Sequence, residues 1–471
     1  MKHRVKTILF IGLALIALFG MTACPQKAKP KAAEPPPGPQ KVTFGVEGTG
    51  GTLKATPEGG AETAASPISV EHGKTVTFTA TAETDYKVEK WTITGGTFVE
   101  GGSEGSPTAK VKVTAAATVT VSFTRYVKVP FGTNGETLAN YLQTATPASD
   151  GIYYIEVTGL QAEHLKGDDS EHTPKPSPLG EILQAHPTKK VALKLGGSVS
   201  ALMDMPLCFY NCTSLVGVAA IPKGVKDMTD CFDSCKSLTQ APVLPEGVTK
   251  MSGCFRDCTS LTKAPTIPKG VKNMRSCFSS CKSLTQAPAI PEGVKDMSYC
   301  FRNCTTLTKA PASIPASVEN MSQCFEKCAS LTEVPTSIPA SVTDMSGCFR
   351  DCTSLTQGPA ISEGVENMKG CFRNCTSLKE VPAIPASVTE MSSCFFNCTS
   401  LTSVTLKCNY SDGKFAIAFK NCTSLSDGSI KVPQAYYGNY TTAEALNRMA
   451  VPGTDEAEQK AKFEGVAELN P

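Results

Sequence analysis

The chain has 471 residues, a formal net charge of +2 and 21 cysteines, a length that allows two or three domains. The near-neutral charge gives no electrostatic reason to expect a nucleic-acid partner or the steering of an acidic small-molecule substrate. Beyond the first residues, no apolar run is long enough for a membrane-spanning helix.

The first 24 residues have the pattern of an export signal. Three basic residues among the first six precede an apolar stretch from Ile8 to Phe19, which is too short to span a bilayer comfortably. The stretch ends in Met21-Thr22-Ala23-Cys24, which resembles the lipobox of bacterial lipoproteins. This resemblance implies that residues 1–23 are a signal peptide cleaved before Cys24, and that the Cys24 thiol is diacylated. An ordinary signal peptide with an incidental Cys24 is the alternative.

Residues 24–40 are predicted to be a tether. The run PQKAKPKAAEPPPGPQ is rich in proline and lysine and has no large apolar residue, so it cannot bury a core. Such a segment is extended and semi-rigid. We expect it to hold the folded part away from a membrane in which several acyl chains anchor the protein.

Residues 41–126 are predicted to form a β domain. Lys74 to Ala82, Lys87 to Thr94 and Lys110 to Phe123 alternate apolar and polar residues between glycine- and serine-rich segments. The stretch HGKTVTFTATAETDYKVEKWTITGG resembles the divergent internalin-type B-repeat of bacterial surface proteins, which implies a β-grasp-like stalk or spacer. Trp91, the only tryptophan, is expected in its core, and an exposed binding aromatic is the alternative.

Residues 127–201 mix helix and strand patterns. Thr137 to Ala145 and Ser177 to His186 have helical apolar spacing, and the second follows a helix-entry serine and proline. Ile152 to Leu160 and Lys189 to Gly197 have strand patterns. We expect this α/β segment to cap the coils that follow, because an open coil edge exposes apolar surface and unpaired backbone groups.

One polar run in this segment carries potential metal ligands. Within HLKGDDSEH, the side chains of His164, Asp168, Asp169, Glu171 and His172 could bind a cation. The run lacks a metal-specific spacing and is surrounded by lysine, glycine and proline. A solvated loop is therefore the favoured interpretation, and no metal site is predicted.

A cysteine-punctuated unit recurs every 23 or 24 residues through residues 202–429. One unit reads MSGCFRDCTSLTKAPTIPKGVKN and begins at Met251. Its apolar positions, continued into the next unit, are Leu261, Ile267, Val271, Met274, Cys277 and Phe278. A fixed period of this length is the signature of a solenoid, here of about ten coils that bury one another's apolar flanks.

The unit resembles the cysteine-containing leucine-rich repeat of BspA-like and Treponema-type bacterial surface proteins, through its CxSL step, its IP dipeptide and its V-x-x-M step. Here cysteine replaces the alanine that is common before the phenylalanine. The resemblance implies a mainly-β leucine-rich-repeat solenoid and adhesion to host extracellular-matrix proteins or to other bacteria. The two prolines of each unit remove ladder donors, so the strands should be short and irregular.

Residues 430–471 hold two helical patterns, TTAEALNRMA and DEAEQKAKFEGVAEL. We expect them to form a C-terminal cap and a solvated tail.

Nine CFxxC pairs place two cysteines four residues apart in successive units. Three interpretations stay open: disulfides within or between coils, a buried ladder of free thiols, and zinc shared by neighbouring coils. Pairing is favoured because Ala418 replaces one cysteine of the last unit while Cys408 appears upstream of Cys422, which keeps the total even. A regular helix holds such β-carbons too far apart, so a bridge within a coil requires a tightened turn. The disulfide candidates are Cys208, Cys212, Cys231, Cys235, Cys254, Cys258, Cys277, Cys281, Cys300, Cys304, Cys324, Cys328, Cys348, Cys352, Cys371, Cys375, Cys394, Cys398, Cys408 and Cys422.

The sequence favours a binding protein over an enzyme. It has no GxSxG, HExxH or phosphate-binding glycine loop, and its repeat cysteines lie in apolar steps without a nearby histidine. No cofactor is expected. Charged residues that vary between units are the candidates for a binding surface, with an ordinary solvated face as the alternative. They are Arg256, Asp257, Arg302, Arg350, Asp351 and Arg373.

We therefore expect a lipid-anchored protein of the cell envelope, at the outer membrane or the cell surface, with the periplasmic face left open. Its expected partners are the membrane, through the N-terminal lipid, and host or bacterial surface proteins, without nucleic acid or a small-molecule substrate. A structural envelope spacer without a specific partner is the alternative function. An enzyme within residues 127–201 is the third.

Overall fold

The computed structural model describes residues 38–83, 86–102, 105–148, 150–169, 173–197, 199 and 202–469. The chain separates into two compact units, one comprising the chain up to Thr81 with Val88–Ser122 and the other comprising Ala82–Lys87 with the chain from Phe123 onward. The predicted signal peptide, Cys24 and most of the predicted tether lie outside the described residues. Within the described ranges, every helix is too short or too polar to cross a membrane.

The first unit is built from two four-stranded sheets. Its strands are β1 (Gln40–Glu47), β2 (Gly51–Pro57), β3 (Ile68–Val70), β4 (Thr75–Ala82), β5 (Tyr86–Thr94), β6 (Phe98–Gly101), β7 (Thr108–Lys112) and β8 (Ala117–Arg125). One sheet has the order β3-β1-β8-β5, with β1 and β8 parallel, and the other has the order β2-β4-β7-β6. The Phe44 and Phe78 rings, one from each sheet, meet edge to face with centroids 5.6 Å apart.

The alternating patterns located these strands, with one correction. The segment from Lys110 to Phe123 was predicted as one strand, but it forms β7 and β8, which lie in different sheets. Trp91 is only 5% exposed and its indole N–H donates to the Ser106 carbonyl at 2.8 Å, which confirms its place in the core. The described residues of β1 to β8 and their connections contain no helix, so the likeness to a β-grasp domain extends to the strands alone.

The second unit begins with an α/β segment. Its elements are β9 (Val127–Pro130), α1 (Glu136–Thr144), β10 (Tyr153–Leu160), α2 (Pro178–Ala185) and β11 (Val191–Gly197), with 3₁₀ segments at Thr133–Gly135 and Ala162–Leu165. The two predicted helices and two predicted strands are confirmed to within two residues. Ser177 begins α2 as expected, because its hydroxyl accepts a hydrogen bond from the Gly180 N–H at 3.1 Å.

The first coil of the solenoid continues this sheet. Strand β12 (Leu215–Val218) pairs in parallel with β11, in a sheet of order β12-β11-β10-β9. The first coil therefore finds its ladder partner in the α/β segment, an arrangement compatible with the predicted cap.

The coils that follow touch through narrow parallel ladders. Asn273 bridges Lys250 on one side and Asp296 on the other, each one coil away. The longest strands of this stretch span two residues, in β13 (Ser337–Ile338), β14 (Ala360–Ile361) and β15 (Val404–Thr405). The expectation of short, irregular strands is thus confirmed.

A tight turn of six residues, here called the turn segment, stacks on its counterpart in the next coil. In the coil that begins at Met251 it runs from Ser252 to Asp257. Backbone N–H groups alternate along it between a carbonyl three residues back and a carbonyl of the next coil. The first kind of bond is made by Cys254, Arg256 and Cys258 at 3.0–3.3 Å, and the second by Gly253, Phe255 and Asp257 at 2.8–2.9 Å.

The phenylalanine of each turn segment belongs to one continuous stack. Neighbouring ring centroids are 5.3–5.7 Å apart, and their planes lie within 21° of each other. All ten rings are fully buried. They are Phe209, Phe232, Phe255, Phe278, Phe301, Phe325, Phe349, Phe372, Phe395 and Phe419.

The chain after the last coil contains β16 (Ile430–Pro433), a 3₁₀ segment at Gln434–Tyr436, α3 (Tyr437–Tyr440), α4 (Ala443–Met449), α5 (Glu456–Ala461) and β17 (Phe463–Val466). Strands β15, β16 and β17 form a parallel sheet. The second predicted helix ends at Ala461. The expectation of a solvated tail is wrong for Phe463–Val466, because these residues form β17. Phe463 is buried and pairs with Ile430, because β17 covers the ladder that β16 leaves open.

Truncating a ring in the middle of the stack should destabilise the solenoid strongly. Phe301→Ala leaves a ring-sized cavity between Phe278 and Phe325, 5.6 and 5.5 Å away, and should cost about 3–5 kcal/mol. Urea unfolding followed by circular dichroism measures this loss.

The matched control is Phe396→Ala, since Phe396 is partly exposed. It should cost about 1 kcal/mol or less. Equal losses for the two variants would contradict a stability that depends on the buried stack.

Candidate binding surface on the turn segments

The residue directly after each stacked phenylalanine belongs to what we call the outer row. Seven of its ten members are partly or fully exposed, whereas Asp233, Ser279 and Glu326 are buried. Four predicted binding residues, Arg256, Arg302, Arg350 and Arg373, belong to it. The buried ring centroids beside the row are 5.3–5.7 Å apart, so the row recurs once per coil at a nearly constant step. Its members are Tyr210, Asp233, Arg256, Ser279, Arg302, Glu326, Arg350, Arg373, Phe396 and Lys420.

Charged side chains of the outer row pair across coils. Arg256 Nε donates to Asp233 at 3.1 Å, and Arg302 Nε donates to Glu326 at 2.8 Å. Arg350 Nε lies 3.9 Å from the other oxygen of Glu326. The two carboxylates are 2% and 3% exposed, whereas the three arginines are about two-fifths exposed. The arginines therefore neutralise buried acids and still present guanidinium edges to solvent.

Two aromatic side chains with cationic neighbours, which the sequence reading did not single out, lie on the same surface. The Arg373 guanidinium carbon is 4.4 Å from the Phe396 ring centroid. Tyr299 lies between Arg275 and Arg302, whose guanidinium carbons are 5.0 and 5.8 Å from its ring. The sequence could have revealed both, because each is an aromatic residue at a position where most other units have a polar or small residue.

The backbone conformation explains why aspartate occurs at Asp257 and Asp351, the remaining predicted binding residues. Residues just before a repeat cysteine adopt positive φ, with values of 54° at Asp257 and 59° at Asp351. Aspartate tolerates this left-handed conformation better than most residues. The Asp351 carboxylate also accepts a hydrogen bond from Asn374 at 2.7 Å. Tyr299 is unusual in this setting, because a bulky residue there has a φ of 58°.

The repeat cysteines are free and buried. In the described part of the chain none is disulfide-bonded, so the favoured pairing is not observed. Of the three interpretations, the structure has the buried ladder of free thiols. The second cysteine of each pair from Cys235 onward, and Cys422, donate from Sγ to a phenylalanine carbonyl of the preceding coil at 3.0–3.2 Å. A disulfide within a coil would require this Sγ to leave its acceptor. Disulfide pairing between these cysteines stays a prediction.

Cys408 also has its own packing environment. Its Sγ lies 4.0 Å from Met391 Sδ and 3.6 Å from Tyr440 Oη, and the Tyr440 hydroxyl donates to the Cys408 carbonyl at 3.0 Å. Cys422 donates to the Phe395 carbonyl. The even cysteine total therefore does not reflect a Cys408–Cys422 bond in this structure.

Burial keeps these thiols protonated. Desolvation raises the pKa of Cys304 and Cys422 to about 12, and that of Cys408 to about 11. A protonated thiol is a poor nucleophile and a poor metal ligand. The rows are therefore suited to packing and to hydrogen bonding.

The polar run considered for metal binding is only partly described. Glu171 and His172 lie outside the described residues. The His164 ring stacks on Phe131 at 4.2 Å, and its Nδ1 accepts a hydrogen bond from the Gln161 N–H at 3.1 Å. Among the described residues, no group of three or more His, Cys, Asp or Glu side chains could hold a metal ion.

A groove of about 690 Å³ lies between two coils on their proline-rich side. Pro265 and Ile267 line one wall, and Pro288 and Ile290 line the other. Lys263 bridges Gln240 in the preceding coil, but these described residues show no bridge from Lys263 to the following coil. The ladder opens at this point, and apolar side chains line the gap.

Thiol titration tests the state of the cysteines. Because the rows are buried and burial raises the pKa of thiols such as Cys304, Cys408 and Cys422, the native protein at pH 8 should react with a thiol reagent slowly. The unfolded protein should then yield the 20 repeat thiols without added reductant. A count near zero that rises to 20 only after reduction would contradict the free-thiol structure and establish the disulfides.

Family comparisons match two parts of the chain. The "BspA type Leucine rich repeat region" matches over residues 206–308, 228–356, 297–426 and 346–447, which together cover about half of the chain. The "Divergent InlB B-repeat domain" matches residues 46–126. No curated protein is similar to this chain.

Three solved structures are similar to part of this chain. A Treponema pallidum leucine-rich-repeat protein is 22% identical over 46% of this chain and 90% of its own, with a TM-score of 0.32. A Bacteroides ovatus leucine-rich-repeat protein is 20% identical over 58% of this chain and 83% of its own, with a TM-score of 0.32. A leucine-rich cell surface protein from Faecalibacterium prausnitzii is 18% identical over 58% of this chain and 95% of its own, with a TM-score of 0.27. With its repeats and its B-repeat-like segment, the chain belongs to the BspA-type leucine-rich-repeat family.

Proposed function

We propose that this chain is a lipid-anchored protein of the cell envelope that binds other proteins through the outward side chains of its turn segments. The observation that carries the proposal is the outer row. Its residue type varies along the solenoid, with seven types among ten positions, while the cysteines and phenylalanine around it repeat. A surface of fixed spacing and variable chemistry suits recognition of a patterned partner.

The energetics of such a surface favour arginine and aromatic contacts. These residues dominate the binding energy of protein interfaces, because they combine apolar area with directional hydrogen bonds. Four of the ten outer-row residues are arginines, and Phe396 and Tyr210 are aromatic. The resemblance to BspA-like proteins adds the expected partners, which are host extracellular-matrix proteins or the surfaces of other bacteria.

A structural envelope spacer is the second candidate. The observation that favours it is the pairing of Arg256 with Asp233 and of Arg302 with Glu326, which uses outer-row charge to join coils. Under this alternative the row stabilises the solenoid and has no partner.

The lipid anchor can be tested separately. We expect Cys24→Ser to move the protein from the membrane fraction to the soluble fraction, since the anchor requires the thiol. Mass spectrometry of the membrane-bound wild type should find acyl chains on an N-terminal cysteine. A variant that stays in the membrane fraction would contradict anchoring through Cys24.

Serine substitution of the outer row tests binding. Ser279 already occupies one outer-row position, so serine is compatible with the turn. The variant replaces Asp233, Arg256, Arg302, Glu326, Arg350 and Arg373 by serine. We expect the mature protein to lose binding to purified extracellular-matrix proteins or to bacterial cells by about tenfold or more.

The control variant substitutes serine at exposed ladder positions outside the turn segments. Serine is the natural residue at Ser403, which occupies the same kind of ladder position. The substituted residues are Lys263, Lys309, Glu333 and Glu380. It should bind like the wild type. Unchanged binding in the outer-row variant, or no binding by wild type to any probe, would contradict the proposed function and favour the spacer.

A further inference from the structure

Charge is unevenly distributed along the turn segments. The turns around Phe232 and Phe255 carry Asp230, Asp233 and Asp257 against the single cation Arg256. The later turns carry seven cations, which we call the basic strip. Its members are Arg275, Arg302, Lys327, Arg350, Lys369, Arg373 and Lys420.

Most cations of the basic strip form no ion pair with the acids that the structure describes. Among the described residues, Arg302 and Arg350 pair with acids, and both do so with the buried Glu326. No ion pair is formed by Arg275, Lys327, Lys369, Arg373 or Lys420 in the same part of the structure. Asp351 is the one other acid of these turns, and it lies 3.7 Å from Arg350. The exposed charge of the strip is therefore strongly positive.

The basic strip also contains an apolar anchor. Phe396 is partly exposed, with the Arg373 guanidinium 4.4 Å above its ring and the Lys420 ammonium 5.9 Å away. An aromatic ring surrounded by cations offers a partner one apolar contact and several carboxylate contacts at once. A guanidinium that stacks on a ring keeps its hydrogen-bonding edge free for a carboxylate.

The rings beneath the strip are spaced close to the pitch of an α-helix. From Phe301 to Phe419, neighbouring ring centroids are 5.5–5.7 Å apart, which sets the spacing of the turns that carry the strip. An α-helix returns to the same face about every 5.4 Å. A helix along the strip would keep this register for roughly 28 Å, or about five helical turns.

From this geometry we propose that the basic strip is the docking site of an acidic amphipathic α-helix from a partner protein. Carboxylates spaced three and four residues apart contact Arg350, Arg373 and Lys420, and one apolar side chain packs on Phe396. This inference rests on the proposed protein-binding function and names the chemistry of the partner.

The probe is a fluorescein-labelled helical peptide of about 20 residues, composed of alanine, glutamate and leucine, with glutamate and leucine on one face at three-and-four spacing. Fluorescence anisotropy with the mature protein measures its affinity. We expect binding that weakens as salt rises. Two analogues should lose affinity by at least about tenfold: one with glutamine in place of glutamate, and one with two central prolines that prevent the helix.

Protein variants locate the site. Arg373→Glu with Lys420→Glu should weaken peptide binding by about tenfold or more. The control, Lys263→Glu with Lys379→Glu, makes the same charge change at exposed positions outside the turns and should alter affinity by about twofold or less. Phe396→Ala should also weaken binding, while leaving the unfolding midpoint close to wild type.

Several results would overturn the inference. These are equal binding of the proline-interrupted peptide, equal weakening by both double variants, and binding of a sulfated polysaccharide but not the helical peptide. If the outer-row serine variant loses its protein partner while the acidic helix does not bind, this inference fails and the proposed function stands. If wild type binds neither, both fail.

Discussion

The alternation of backbone hydrogen bonds in the turn segment is the constraint on which the solenoid depends. Prolines deprive each coil of long strands, so the ladders that join neighbouring coils outside the turn consist of one- or two-residue bridges. In the turn, one N–H binds within the coil and the next binds across to the following coil. This pattern places Phe255 above Phe278 with ring planes 5° apart. The phenylalanine stack and the cysteine rows follow from the same backbone arrangement.

That constraint also explains which residues occupy the turn. Positive φ before each paired cysteine favours glycine, serine and Asx residues, as at Ser276, Ser280 and Asn303, although Tyr299, Gln323 and Lys327 also adopt it. The second cysteine must be small enough to pack beside the stack and must donate to a carbonyl one coil back, a role a thiol fills without burying a charge. The outer row has neither the positive φ nor the thiol hydrogen bond, so its side chains vary more, although the buried Asp233 and Glu326 pair with arginines of neighbouring coils.

Much of this could be predicted from the sequence, because the repeat period and the apolar positions are direct consequences of burial. The inward set, including Leu261, Ile267 and Val271, is buried as expected. The state of the cysteines could not be predicted, since spacing alone does not reveal that Cys258 donates to the Phe232 carbonyl. The strand at Phe463 was missed because the helical periodicity of the sequence continues past Ala461. The segment forms a strand instead because β16 offers it an open ladder to pair with. Arg256 and Arg302 were identified as binding candidates, but their buried partners lie one coil away and depend on the stacking register.

The candidate binding surface and the stability of the coils are therefore linked through the turn segment. Hydrogen–deuterium exchange resolved to single amides tests this link most directly. The account predicts that the N–H groups of Phe255 and Asp257, which bond across coils, exchange as slowly as core amides, while those of the exposed Lys269 and its neighbours exchange rapidly. Exchange of the Phe255 and Asp257 amides at the rate of an exposed loop would contradict it.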